Sequence, residues 1–310
     1  MNRRRFLGHS AGALAATLAS ASFTRAADKD NAPVVDTHLH CFAGKDDARF
    51  PYHDRAPYRP EKSATPEHLL KCMDGAGVDF AVVVHPEPYQ DDHRYLEHCL
   101  AVGKERLKGT CLYFADKPAS IAVMTARKKK LGAALVAARI HAYAPDRLPP
   151  FGKPELRAFW RAAADLGLML QLHFEPRYAV GFEPLIEEFK ETRVIIDHLG
   201  RPMQATLEEH ARVVRWARFP NTVMKISSLP EPAQYPHRDV RPIVRQLADA
   251  FGADRLIYGG GYGEDATPAS YRAYREKVRG LLAHLSAADQ AKVLGETAAK
   301  LYGFPAKPAR

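Results

Sequence analysis

Asp36-Thr37-His38-Leu39-His40 lies near the end of an apolar run that begins at Val34. In an extended strand, residues two apart share a face. The spacing therefore predicts that Asp36, His38 and His40 point the same way, with two imidazoles converging. The chain holds 14 histidines, so one such pair could arise by chance. The pattern recurs, however. Leu170-Gln171-Leu172-His173 and Val194-Ile195-Ile196-Asp197-His198 end two further apolar runs, and His85 and His141 end two more. A lone histidine is ordinarily a satisfied core residue, but several at the ends of such runs point to a shared centre.

Three neutral imidazoles plus water make an open site for a divalent cation, with zinc the expected metal. His38, His40 and His173 are the expected ligands. The cation would lower the pKa of its water toward ~7 and so supply hydroxide for attack on an ester, lactone or amide carbonyl. His198 is expected to bond the water or the carbonyl oxygen. Asp197 could orient an imidazole, although strict alternation sets it on the opposite face from His198. Candidate substrate contacts are His85, Arg139, His141, Arg201 and Lys225. A guanidinium fork at Arg139 or Arg201 suits a substrate carboxylate, and a surface salt bridge is the competing use of each. Lys225 is unusual in an apolar run. Facing inward it would pair with a carboxylate or stabilise an oxyanion; facing outward it would snorkel between helices.

These residues need elements to hold them. The chain has 310 residues, 46% hydrophobic and 26% charged, which excludes a disordered polymer and suits one large domain. Eight apolar runs follow one another: 34–42, 78–85, 107–114, 134–141, 167–173, 193–198, 222–227 and 255–259. Their starts are 26 to 44 residues apart, the length of a strand plus a crossover helix. Near-continuous apolar strands imply a parallel sheet buried on both faces. Eight such units predict an α/β fold, a (β/α)8 TIM barrel, as a single domain over 27–310. Thr65-Pro66, Thr206 with Glu209, and Ser286 with Asp289 read as helix starts; Gly75 and Gly77 can end the first helix, and 153–166 has a helical face. Segments 43–63 and 230–237 read as long loops after the first and seventh strands, on the face where barrel sites lie.

Residues 1–26 have a basic start, an apolar stretch and small residues before Ala26, the layout of a cleaved export signal. Arg3-Arg4-Arg5-Phe6-Leu7 matches a twin-arginine signal, which implies the twin-arginine export machinery as a partner and a periplasmic or secreted product without a membrane anchor. The net charge is +9, and the leader carries Arg3, Arg4, Arg5 and Arg25 with no acid, so the remainder keeps five of those charges. The Arg127-Lys128-Lys129-Lys130 run reads as a solvated helix face, and no aromatic-interleaved basic stripe accompanies it, so no nucleic-acid partner is expected. Cys41, Cys72, Cys99 and Cys111 have no C-x-x-C spacing, which argues against a zinc knuckle.

The stretches VVDTHLHCF (34–42), GVDFAVVVHPEPYQDDHRYL (77–96), LGLMLQLHFEP (166–176), RVIIDHLGRPM (193–203), NTVMKISSL (221–229), FGADRLIYGGGY (251–262) and GETAAKLYGF (295–304) together resemble the amidohydrolase-related branch of the amidohydrolase superfamily. Within it the chain looks closest to the sugar-lactone and 2-pyrone-4,6-dicarboxylate lactonases, and IIDHLGRP is the most specific of these motifs. The resemblance implies a barrel hydrolase of a lactone or similar cyclic ester in a small carboxylated substrate. It implies that His38, His40 and His173 surround a metal or its vestige and that His198 binds substrate or water. One departure stands out. Where the family's eighth strand ends in an Asp that acts as ligand and general base, this chain has Gly261 within Gly259-Gly260-Gly261. Glu264 and Asp265 follow and are the expected replacements. The competing readings are a non-oxidative decarboxylase of the same branch and a barrel that binds without catalysing.

Overall fold

The computed structural model describes residues 32–143, 147–231, 233 and 239–307. The leader therefore lies outside the described residues, as does most of the 230–237 loop. The eight apolar runs become eight strands: β1 (Val35–Leu39), β2 (Phe80–Val84), β3 (Leu107–Leu112), β4 (Leu135–Ala142), β5 (Met169–Phe174), β6 (Val194–Ile196), β7 (Thr222–Ile226) and β8 (Leu256–Tyr258). They form one sheet in sequential order, and each neighbouring pair is parallel. Side chains stitch its two edges into a nearly closed barrel: Thr37 Oγ1 donates to Tyr258 O (2.7 Å) and Gly260 N donates to Asp36 Oδ1 (2.7 Å).

A helix follows each strand: α1 (Pro66–Ala76), α2 (Arg94–Gly103), α3 (Ser120–Leu131), α4 (Pro154–Asp165), α5 (Glu183–Glu188), α6 (Leu207–Val214), α7 (Arg241–Phe251) and α8 (Pro268–Leu281). Their starts follow local chemistry. Thr65 Oγ1 accepts from His68 N, Thr206 and Glu209 form a reciprocal capping box, and Ser286 caps the short helix Ala287–Ala291. Gly77, at φ 75°, ends α1, whereas Gly75 stays inside it.

Two cores divide the apolar residues. Val35, Phe80, Val82, Ile195, Val223 and Ile257 meet inside the lower barrel and are capped by Tyr302 near the C-terminus. The larger core fills the space between the sheet's outer face and the helices, with Leu39, Val83, Leu170, Ile196, Met224 and Tyr258 among the sheet residues. Strand alternation then decides what the upper barrel contains. On β7, Val223 points inward, and so do Lys225 and Ser227; past β6, Ile195 is followed by Asp197. The four cysteines are buried and unpaired. Among the described residues, no helix is long and apolar enough to cross a membrane.

Candidate active site

The first strand breaks the period expected of it. Asp36 pairs with Ala81 and Leu39 with Val83, so three steps on β1 match two on β2. Such a bulge re-aims side chains. His38 and His40 share an aspect, with rings 5.2 Å apart, while Asp36 faces the other way. Its carboxylate accepts from Tyr271 OH on α8 (2.6 Å), from Gly260 N and from His38 N (2.9 Å). Burial pushes its pKa up to about 6 in spite of these bonds. The expectation of three side chains on one face is thus corrected by an inserted residue.

Asp197 is the centre of the buried lumen. Arg139 donates to its Oδ2 through Nε (3.0 Å) and Nη2 (2.9 Å). Gln171 Nε2 donates to both oxygens (3.0 and 3.1 Å), and Lys225 Nζ lies 3.2 Å from Oδ1. Burial opposes ionisation of this carboxylate, but Lys225, Arg139 and His38 outweigh it and hold the pKa well below the usual range. Burial pulls Lys225 down in turn, with Asp197 opposing. Arg139 is therefore committed to an internal carboxylate, neither a surface bridge nor a fork free for substrate. Lys225 takes the inward alternative. Two cations against one carboxylate leave this cluster with an excess of positive charge.

The backbone then leaves the sheet sharply. β6 stops at Ile196, and His198, Leu199, Gly200 and Arg201 all have φ between 53° and 68°. Three of these residues carry a Cβ that disfavours the left-handed region, so the turn stores strain. Its effect is to return the His198 ring to the lumen, where strict alternation would have sent it away. The ring lies 4.4 Å from that of His38 and 5.0 Å from that of His173, and Nδ1 is 2.9 Å from Ser227 Oγ. Asp197 and His198 thereby serve one site from adjacent positions.

The result is an arc of five imidazoles: His40, His38, His198, His173 and His141, with successive centroids 5.2, 4.4, 5.0 and 4.9 Å apart. Burial holds all five below the ordinary histidine pKa: His40 and His141 at about 4, His198 at about 3, and His38 and His173 well below 6.5. They are neutral at pH 7, with lone pairs available. His38 Nε2, His173 Nδ1 and His141 Nε2 are buried without a hydrogen-bond partner within the protein, so their lone pairs are not committed to another side chain. His40 Nδ1 is 2.7 Å from Val84 O, which can only accept. That places the proton on Nδ1 and leaves Nε2 as a donor atom. His38, Asp197 and His198 each offer an atom within 4.8 Å of the others. The donor chemistry fits a divalent cation. The ring next to His38 is that of His198, 4.4 Å away, and the ring of the expected third ligand, His173, stands one place further along the arc, 5.0 Å from His198.

Other expected contacts are redistributed. His85 follows inward-facing Val84 and so points out of the barrel; its Nε2 is 2.9 Å from Gln90 O and its ring packs edge-on against His93. Arg201 lines a cavity of about 390 Å³ with His173 and His198, and its guanidinium lies 5.8 Å from the Tyr143 ring. Glu264 and Asp265 do not reach the imidazoles. Glu264 accepts from Lys62 N (3.2 Å), and Asp265 pairs with Lys62 Nζ (2.6 Å) on the exposed rim. Glu264→Gln and Asp265→Asn are accordingly expected to leave turnover unchanged and stability within about 0.5 kcal/mol, checked by steady-state kinetics and urea unfolding. Gln171 and Ser227 were open to discovery, since each lies two residues from a named candidate on the same strand face. Glu87, in the loop after β2, carried no periodic signal at all.

Comparison with known proteins identifies the family and the fold. A family model described as Amidohydrolase matches residues 35–304. The chain is 30% identical to an L-fucono-1,5-lactonase of Burkholderia ambifaria over 241 residues, 73% of this chain and 78% of that protein. It is 27% identical to a 4-sulfomuconolactone hydrolase of Rhizobium radiobacter over 232 residues, 72% of this chain and 73% of that one. Among solved structures, a probable 2-pyrone-4,6-dicarboxylic acid hydrolase from Acinetobacter baumannii with citric acid bound superposes with a TM-score of 0.69 at 19% identity, over 87% of this chain and 99% of that one. An amidohydrolase from Burkholderia multivorans with bound zinc gives 0.70 at 17%, over 88% and 100%. These two likenesses establish the barrel fold.

Proposed function

This chain belongs to the amidohydrolase family and is a hydrolase, and from that premise we propose that it opens the ring ester of a small anionic lactone. The observation that carries the reading is the arc of neutral, buried imidazoles beside a lumen with excess positive charge. The lactone-cleaving activities named for two relatives support it.

The family's usual dependence on a divalent metal fits the donor set here. His38, His40 and His198 would hold the ion, with zinc favoured by the all-nitrogen ligands. Such an ion supplies a Lewis acid that polarises a carbonyl and acidifies water. The remaining work falls to the chain. Val84 O and Ser227 fix the orientation of His40 and His198. Asp197 sits 3.3 Å from His38 Nδ1 and, with Arg139, Gln171 and Lys225 locked to it, cannot swing away. The surplus charge of Arg139 and Lys225 favours an anionic substrate and the oxyanion formed on attack. Arg201 and His173 line the cavity from which the substrate enters. The twin-arginine leader supports action in the periplasm or outside the cell.

The test joins elemental analysis of the purified protein to turnover of a lactone panel. Loss of an outer-shell partner typically costs 10–100-fold, so His38→Ala or His198→Ala is expected to cost at least about 100-fold and to release the metal. Metal-free protein whose turnover is untouched by both substitutions overturns the assignment. The glycines at the end of β8 favour one second reading, a barrel that binds lactones without opening them; calorimetric binding with no turnover of any lactone would establish it.

A further inference from the structure

The end of β8 carries no acid, yet one carboxylate outside the metal-binding imidazoles is aimed at the arc. Glu87 Oε1 lies 3.4 Å from His141 Nδ1, accepts from Arg147 Nη1 at 2.8 Å, and accepts from the Tyr143 hydroxyl. His141 Nε2, on the far side of the ring, is buried with no partner. The ring stands edge-on to His173, 4.9 Å away at 89°. A carboxylate on one imidazole nitrogen and an open second nitrogen is the arrangement of an oriented general base. Resting on the lactone-hydrolase reading, we propose that His141, oriented by Glu87, accepts the proton of the attacking water in place of the missing eighth-strand acid.

The atoms balance as follows. The water oxygen bonds to the ester carbonyl carbon, the carbonyl electron pair moves to its oxygen, and a water proton passes to His141 Nε2 while Nδ1–H stays on Glu87. On collapse the bond between the carbonyl carbon and the ring oxygen breaks, and His141 returns the proton to that oxygen. The products are one carboxyl and one hydroxyl group on an open chain. Glu87 is suited to its part. Burial works against its charge, but His141, Tyr143 and Arg147 outweigh burial and hold its pKa at about 2, so it remains an anion able to stabilise the imidazolium. Glu87, held by three partners, is a positioning residue; His141 is the catalytic one. Both line a second cavity, of about 720 Å³, together with His53, Arg55, Tyr113 and Arg147.

The experiment measures kcat and KM on a hydrolysed lactone for the parent, His141→Ala and Glu87→Gln, with and without added imidazole. General-base loss typically costs 10²–10⁴-fold, so His141→Ala is expected to lower kcat by about that factor with KM little changed, and imidazole is expected to restore part of it. Glu87→Gln, nearly isosteric and expected to keep the parent circular dichroism, should lower kcat by about 10–100-fold. Its ¹⁵N spectrum should also show the His141 ring losing its Nδ1–H tautomer. Parent turnover with His141→Ala within threefold of it overturns the proposal alone. A loss that imidazole does not restore and that falls on KM also overturns it, in favour of a packing role. A parent inactive on every lactone overturns the lactone reading and this proposal together.

Discussion

Asp197→Ala is expected to lower folding stability by about 3–5 kcal/mol, because it strands Arg139 and Lys225 in the lumen without their counter-charge. Both side chains are 3% exposed or less, so water cannot replace the lost carboxylate. Gln171 loses its acceptor in the same change. The loss is large against the 5–15 kcal/mol that holds a typical domain together. Turnover should vanish as well, since His38 loses the group beside its Nδ1. Urea unfolding followed by circular dichroism measures the first effect, and the lactone assay the second. Adding Lys225→Met to Asp197→Ala removes one of the two stranded cations, so the double variant should recover part of the stability. A single variant with the parent's midpoint would mean that solvent reaches the cluster and that Asp197 is not its buried counter-charge.

Gly261→Asp, the substitution that places an acid just after β8, is expected to destabilise the protein without adding activity. Gly261 has φ 104°, where a residue with a side chain is strained. A Cβ there would lie 2.8 Å from Tyr274 Cβ and 2.9 Å from its Cγ. Backbone strain of about 1–3 kcal/mol and overpacking of about 1–3 kcal/mol act together, for a total of about 2–6 kcal/mol. Tyr274 has taken the space from α8, and its hydroxyl accepts from Leu229 N (3.3 Å). Combining Gly261→Asp with Tyr274→Ala should recover only the part of the overpacking owed to the ring, since alanine keeps the Cβ that lies 2.8 Å away, and none of the strain. Higher turnover in Gly261→Asp with unchanged stability would show that the 259–261 backbone rearranges, and that the site is still built for an acid at that position.

Much of the architecture was readable from one dimension. All eight runs became strands, and Thr65, Thr206 and Ser286 became caps, because apolar continuity and local hydrogen bonding act within a few residues. The histidines at run ends were found for the same reason: in a parallel barrel the ends of runs are the mouth. The roles within that mouth were less accessible. Arg139 looked like a substrate fork until the neighbouring strands set Asp197 against it. Glu264 and Asp265 looked like replacements for the lost acid until Lys62, from the loop after β1, drew them to the rim. Glu87 showed nothing until His141, more than fifty residues away, was folded beside it.

The order of strands and helices, and the set of residues at the barrel mouth, follow from chain-local rules: a period of two, a cap, a spacing. Which nitrogen faces which oxygen does not. The bulge in β1 depends on its register with β2, and the left-handed turn at 198–201 is tolerated because Leu199 is buried in the core beneath it and His210 Nε2 lies 2.8 Å from Leu199 O. Each shifts the facing of a catalytic side chain by one residue's worth of backbone. Such shifts are stabilised by contacts distant in sequence, and no window of neighbouring residues encodes them.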